Sequence, residues 1–156
     1  MTTRGTAILL TNFKSVTSCE FNGNMSIGHN TDGSFLLEHL EKVKTVREFK
    51  RAIERFNGGW YGYDGIPLHL TVGKLRNIRF KQSTYYRDWF SDYLYFMNIS
   101  WWKIKITCVN ANTFYLMPGE IAVFYFGNFF MSHNYLTKEY AYVPLETIKS
   151  IPAEQS

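Results

Sequence analysis

Two histidines in this 156-residue chain each stand two positions before a threonine, in His29-Asn30-Thr31 and His69-Leu70-Thr71. An imidazole titrates near neutral pH and can give or take a proton. Catalysis needs a nucleophile or a base, so histidines are the first place to look. The segment 28–33 could also set backbone N–H groups against an anion at a helix start. It has neither the Walker lysine nor the GxGxxG spacing, and a plain loop is the simpler reading. Asp88 and Asp92, four apart, read as a solvated helix edge rather than a metal site. Cys19 and Cys108 show no zinc-like spacing, and no HExxH or Ser-His-Asp order is present. No cofactor or metal is expected.

The paired tripeptides resemble the motifs of the two-histidine phosphoesterases. That resemblance implies general acid and base roles for His29 and His69, with Thr31 and Thr71 holding the phosphate. It is confined to these tripeptides. The second copy, followed by Val72, has the apolar setting such a motif favours. Asn30 and Asp32-Gly33 give the first copy the character of a turn, and a histidine packed in a strand is the competing account of His69. A phosphodiester- or nucleotide-hydrolysing enzyme, as the resemblance implies, is therefore the alternative reading.

Charge points elsewhere. Residues 42–87 hold eleven of the 17 basic side chains and three of the 13 acids, a net +8 against −4 for the remainder. Arg47, Arg51 and Arg55 recur every four residues, and Lys44, Lys74, Arg76, Arg79 and Lys81 add to the same region. Trp60, Tyr61 and Tyr63 lie between them in sequence. Cations interleaved with rings suit a polyanion, since bases stack on rings while Lys and Arg follow phosphates. Aromatic residues make up 18% of the chain, more ring than a core of this size needs, so some are expected at an interface.

The elements that position these residues follow from periodicity. Residues 7–13 read as a strand. Asn22-Gly23, between the apolar runs 16–21 and 25–27, predicts a hairpin turn. Ser34 is placed to cap a short helix whose apolar side is Phe35, Leu36, Leu37 and Leu40. Thr45 and Glu48 form a capping box ahead of Val46, Phe49, Ile53 and Phe56, whose spacing of three and four predicts a helix ended by Asn57-Gly58-Gly59. Runs 68–72 and 75–80 read as strands, and Ser83 is expected to start a third, ring-rich helix to about Met97. From Trp102 onward the pattern is a strand meander: Trp102, Ile104, Ile106 and Cys108 alternate with Lys103, Lys105 and Thr107. Asn110-Ala111-Asn112, Pro118-Gly119 and Gly127-Asn128 then divide the strands 114–117, 121–126 and 129–131.

One α+β domain over residues 1–156 is thus expected, with a mainly antiparallel sheet, two or three helices from the middle, and residues 153–156 frayed. No apolar run is long enough for a signal or a membrane span, which predicts a cytoplasmic protein without a membrane partner. The leading functional expectation is a small non-enzymatic binding protein whose basic, aromatic-rich face (44–87) takes nucleic acid or an acidic protein surface. A short, motif-poor domain of that kind fits a phage-type inhibitor of host machinery. A homo-oligomer whose surplus rings meet at a subunit interface is the third reading.

Overall fold

The computed structural model describes residues 3–18, 21–26, 30–57, 63–64, 69–70, 74–80, 92–108, 113–125, 129–134 and 139–144. Among them are the strands β1 (Thr3–Leu10), β2 (Ser15–Thr17) and β3 (Phe21–Gly23), then the helices α1 (Asp32–Leu40) and α2 (Val46–Asn57). Next come β4 (Tyr63–Asp64), β5 (His69–Leu70), β6 (Asn77–Phe80), β7 (Tyr93–Asn98), β8 (Ile104–Cys108) and β9 (Thr113–Leu116). The last three are β10 (Ile121–Tyr125), β11 (Phe129–Asn134) and β12 (Glu139–Pro144). They form an eight-stranded sheet, β12-β11-β10-β7-β1-β2-β4 with β3 also on β1, and a four-stranded sheet, β5-β6-β8-β9.

The α+β class is as expected, but each sheet is mixed. β1 pairs β7 in parallel in the large sheet, and β6 pairs β8 in parallel in the small one. The expected C-terminal meander is divided between them: β8 and β9 lie in the four-stranded sheet, whereas β10, β11 and β12 run antiparallel in the larger.

Register aligns the apolar rows. Val16, Leu9, Met97 and Ile121 stand in line across β2, β1, β7 and β10, with Ala7, Tyr95 and Val123 as the next row on that face. These residues form one core cluster with Leu36, Leu37 and Leu40 of α1 and Phe49, Ala52 and Ile53 of α2. Burying side chains the size of Phe49 or Ile53 contributes about 1.5–3 kcal/mol each. The opposite face of the same strands, Ile8, Leu10, Leu94, Phe96, Ala122 and Phe124, is buried as well. Strands covered on both faces carry continuous apolar runs rather than alternation, as 94–97 and 121–124 do.

That double burial explains the main departure from the periodicity. The expected helix from Ser83 to Met97 is contradicted at its C-terminal end, where residues 93–98 are β7. A continuous apolar run satisfies helical spacing as well as strand spacing, and here the strand wins because β1 and β10 flank it. Residues 83–91 lie outside those described.

The Asn22-Gly23 hairpin is also overturned. Both residues lie within β3, paired with Arg4 and Thr3 of β1, and the reversal falls instead at residues 11–14, closed by Thr11 N donating to Lys14 O at 2.9 Å. β2 and β3 share one edge of β1, β2 on residues 8–10 and β3 on residues 3–5. Gly23 has φ of 152°, a backbone that other residues rarely adopt, and a Cβ there would also run into the Asp32 carboxylate, so the glycine serves this strand position rather than a tight turn.

The α1 cap moves by three residues. Thr31 is the N-cap, its Oγ1 accepting from Ser34 N at 3.1 Å, while Ser34 sits inside the first turn and Phe35 is exposed. For α2 one half of the capping box is present, Glu48 N donating to Thr45 Oγ1 at 3.1 Å. The return bond shifts by one residue, Glu48 Oε1 accepting from Lys44 N and from the Thr45 hydroxyl, both at 3.2 Å, rather than from Thr45 N. Phe56 closes the helix pair, edge-on to Phe21 at 5.1 Å and to His39 at 5.9 Å.

Between β9 and β10 the chain turns at Pro118-Gly119. Gly119 has φ of 84° and Glu120 N donates to Met117 O at 3.0 Å, the arrangement of a type II turn. The Glu120 side chain closes the same turn by accepting from Met117 N at 2.6 Å. Burial raises the Glu120 carboxyl above its ordinary value, and the Met117 N–H lowers it by less. The native state therefore holds this proton more tightly than the unfolded chain, and stability from this group falls as pH rises through the folded value. Glu120→Gln keeps the acceptor without the charge. It should be the more stable protein at pH 7, with the difference closing as pH drops below the ordinary carboxylate range, read from urea midpoints across that range.

No helix among the described residues is long and apolar enough to cross a membrane.

Candidate functional site

The basic stripe of α2 is laid out as its spacing requires. Phe49, Ala52 and Ile53 face the core, and Arg47, Arg51 and Arg55 are exposed, with Lys44 exposed just before the helix. Like charges four apart on a helix repel by about 0.2–0.5 kcal/mol per pair. Glu48 and Glu54, each three residues from Arg51, offset part of that repulsion.

The second basic segment has a partner the sequence did not suggest. Lys74 and Arg76, both exposed, hold their cationic heads 5.3 Å and 4.3 Å from the centre of the Trp102 ring. Trp102 donates its indole N–H to Leu75 O at 2.6 Å, fixing the ring against the segment from which both cations spring. Phe13 and Trp101 stand edge-on to the same ring at 6.4 Å and 6.5 Å. Both are open to solvent, Phe13 at 68% and Trp101 at 81%, whereas most large apolar side chains among the described residues are buried. Lys103, next in sequence, lies 4.5 Å over Tyr115. Cation–π contacts of this kind are worth about 0.5–1 kcal/mol at exposed positions, enough to orient the cations.

Three separate loops build this cluster: residues 11–14 between β1 and β2, residues 74–76 before β6, and residues 99–103 between β7 and β8. Asn12 joins all three, accepting from Leu75 N on its backbone oxygen at 2.8 Å and from Trp101 N on Oδ1 at 3.0 Å. The loop 99–103 carries the chain from the large sheet to the small one, and Asn98 anchors its start. Asn98 is fully buried, and its amide uses every hydrogen-bonding position. Nδ2 donates to Trp102 O at 3.0 Å and Leu116 O at 2.8 Å, while Oδ1 accepts from Ser100 N at 2.8 Å and Ser100 Oγ at 2.6 Å. The aromatic cluster is therefore held by the core rather than hung on a loose loop.

The remaining candidates are distributed as follows. Arg79 is exposed on β6, opposite His69 of β5 and Thr107 of β8. Tyr63 lies in β4, paired with Thr17. Thr31 is buried, and its hydroxyl both caps α1 and donates to Ser26 O at 2.7 Å. Asp32 occupies the first turn of α1 and accepts from Asn24 N at 2.8 Å. The helix start that the 28–33 loop would offer to an anion thus already holds a negative charge. His29, Trp60, Tyr61, Thr71 and Lys81 lie outside the described residues. Asp92 precedes β7 rather than lying on a helix, and accepts from Arg4 N at 2.9 Å. Among the described residues no group of three metal-ligating side chains comes together.

Phe13, Trp101 and Trp102 are not among the sequence-derived site residues. The available signal is a Trp-Trp-Lys run opening an alternating strand, and the strand's own pattern accounts for it equally well.

Neither a protein-family model, nor a curated protein, nor a solved structure matches this chain.

Proposed function

We propose that this protein is a non-enzymatic binding protein that takes an anionic partner, nucleic acid or an acidic protein surface, on a basic, aromatic-rich face. The observation that carries the reading is the set of exposed cations, Arg47, Arg51 and Arg55 along α2 and, in the loop before β6, Lys74 and Arg76 against Trp102. Such a field attracts a polyanion and accelerates its capture.

Reversal of the α2 stripe tests it. Arg47→Glu, Arg51→Glu and Arg55→Glu together should leave thermal unfolding two-state while abolishing capture of the partner from cell extract. Parallel pull-downs with and without nuclease sort the partner into nucleic acid or protein. Binding to nucleic acid should also fall steeply with salt, because each neutralised phosphate releases counterion. A folded triple variant that captures its partner normally would remove α2 from the interface.

A further inference from the structure

We propose that Phe13 and Trp101 form a stacking platform for the unpaired bases of a single-stranded nucleic acid, with Lys74 and Arg76 receiving its phosphates. This rests on the anionic-partner reading and names both the ligand class and a part of the surface that reading did not include.

The first ground is exposure. Phe13 at 68% and Trp101 at 81% present open ring area, whereas Trp102 between them is partly buried and engaged by two cations. Trp102 therefore organises the cluster, and the outer rings offer the surface. The second ground is charge. Residues 11–14, 74–76 and 99–103 contain Lys14, Lys74, Arg76 and Lys103 and no acid. An acidic polypeptide would answer the charge but not the flat apolar faces. A single strand answers both, since every base has a π-face and every nucleotide a phosphate. A duplex would answer only the charge, because its bases are stacked on one another. A guanidinium lying on a ring keeps its in-plane N–H donors for phosphate oxygens, which suits Arg76 at 4.3 Å from Trp102.

The third ground is preorganisation. Trp101 N is bonded to Asn12 of the loop that carries Phe13, and Asn98 holds the other side of the 99–103 loop. The two loops that carry the outer rings are thus joined before any ligand arrives, and each ring stands edge-on to Trp102, so less ordering entropy opposes binding.

The test compares an oligothymidine of about twenty nucleotides, longer than a single stacking groove requires, with an abasic oligomer of the same length. Both are titrated into the full chain by fluorescence anisotropy, with tryptophan emission followed in parallel. The expected result is binding of the oligothymidine at least about tenfold tighter than of the abasic strand, with quenching of emission. In the variant Phe13→Ala with Trp101→Ala the two affinities should become equal. Both side chains are exposed, and an unchanged melting curve confirms that the variant folds. Equal affinities in the unaltered protein, or a double variant that keeps the preference, would overturn the platform while leaving the anionic-partner reading standing. Binding of poly-glutamate but of neither oligomer would do the same. Binding of none of the three would overturn both.

Discussion

Asn98→Ala should lower the stability of this protein by about 3–4 kcal/mol, a large part of the roughly 5–15 kcal/mol that holds a domain folded. The substitution strands Trp102 O, Leu116 O and the Ser100 N–H and hydroxyl around a vacated amide. Each buried group left without its partner costs about 1–3 kcal/mol, offset in part where a neighbour such as Ser100 Oγ, already within 2.7 Å of Trp102 O, can substitute. Asn98→Asp separates hydrogen bonding from volume. It keeps the acceptor for Ser100 and replaces the Nδ2 donor with an oxygen facing two carbonyl oxygens. At neutral pH it should be at least as damaging as alanine. The environment raises the new carboxyl, so the native state takes up a proton on acidification, regains one donor and becomes more stable relative to its own pH 7 value. Urea denaturation at pH 7 and near pH 4.5 reads both effects. An Asn98→Asp variant as stable as the parent at pH 7 would show that the amide is not the joint between the sheets.

Gly33→Ala poses a contest between two effects of opposite sign. Alanine is the better helix former by about 1 kcal/mol, which alone would make the protein more stable. Gly33, however, is buried in the first turn of α1, and a Cβ there would collide with Ser26 O, Met25 O and the Tyr95 hydroxyl. Two of the three are backbone atoms, and the Tyr95 hydroxyl is itself held by donating to Met25 O. None is the loose end of a flexible side chain. Overpacking of this kind costs about 1–3 kcal/mol and more when backbone must move, so a net loss of about 2 kcal/mol is expected. Thermal or urea unfolding decides the sign. A gain in stability would mean that the 24–26 segment yields easily.

What the sequence made legible was local. The Thr45 cap on Glu48 N, the apolar stripe of α2 and the alternation across β8 each depend on residues within a turn or two of one another, and each is present. Pro118-Gly119 reverses the chain for the same reason. The failures arise where a distant partner outvotes a local preference. Asn22-Gly23 has the chemistry of a hairpin turn, yet β1 takes it as a strand because Phe21 is then buried and the chain reverses at 11–14 instead. Residues 93–97 have helical spacing, yet they become the central strand between β1 and β10. At the α1 start, Thr31 and Ser34 are both good caps three residues apart, and spacing alone does not choose between them.

The candidate site divides in the same way. Arg47, Arg51 and Arg55 are visible as a stripe because one helix carries them. Phe13, Lys74, Arg76 and Trp101 come from loops far apart in the chain, and only the crossing between the two sheets brings them to a single ring. Composition signals surplus aromatics at a surface without saying which.

The parallel pairing of β1 with β7, Gly5 opposite Tyr93 through Leu10 opposite Asn98, also fixes an order of events during synthesis. One edge of β1 is filled early, since β2 and β3 emerge within the next few residues. The other edge waits for β7, which begins at Tyr93, long after β3 ends at Gly23. At about 5–20 residues per second of elongation, that wait is roughly 4–15 s, before the ribosome has even released β7. Through that interval residues 6–10, four of them aliphatic, form an open strand edge with no partner in their own chain. An open apolar edge recruits strands from neighbouring chains. The nascent chain is thus most exposed to aggregation before residue 98 is made, and slower initiation or a holdase bound to the N-terminal hairpin would raise its yield of native protein.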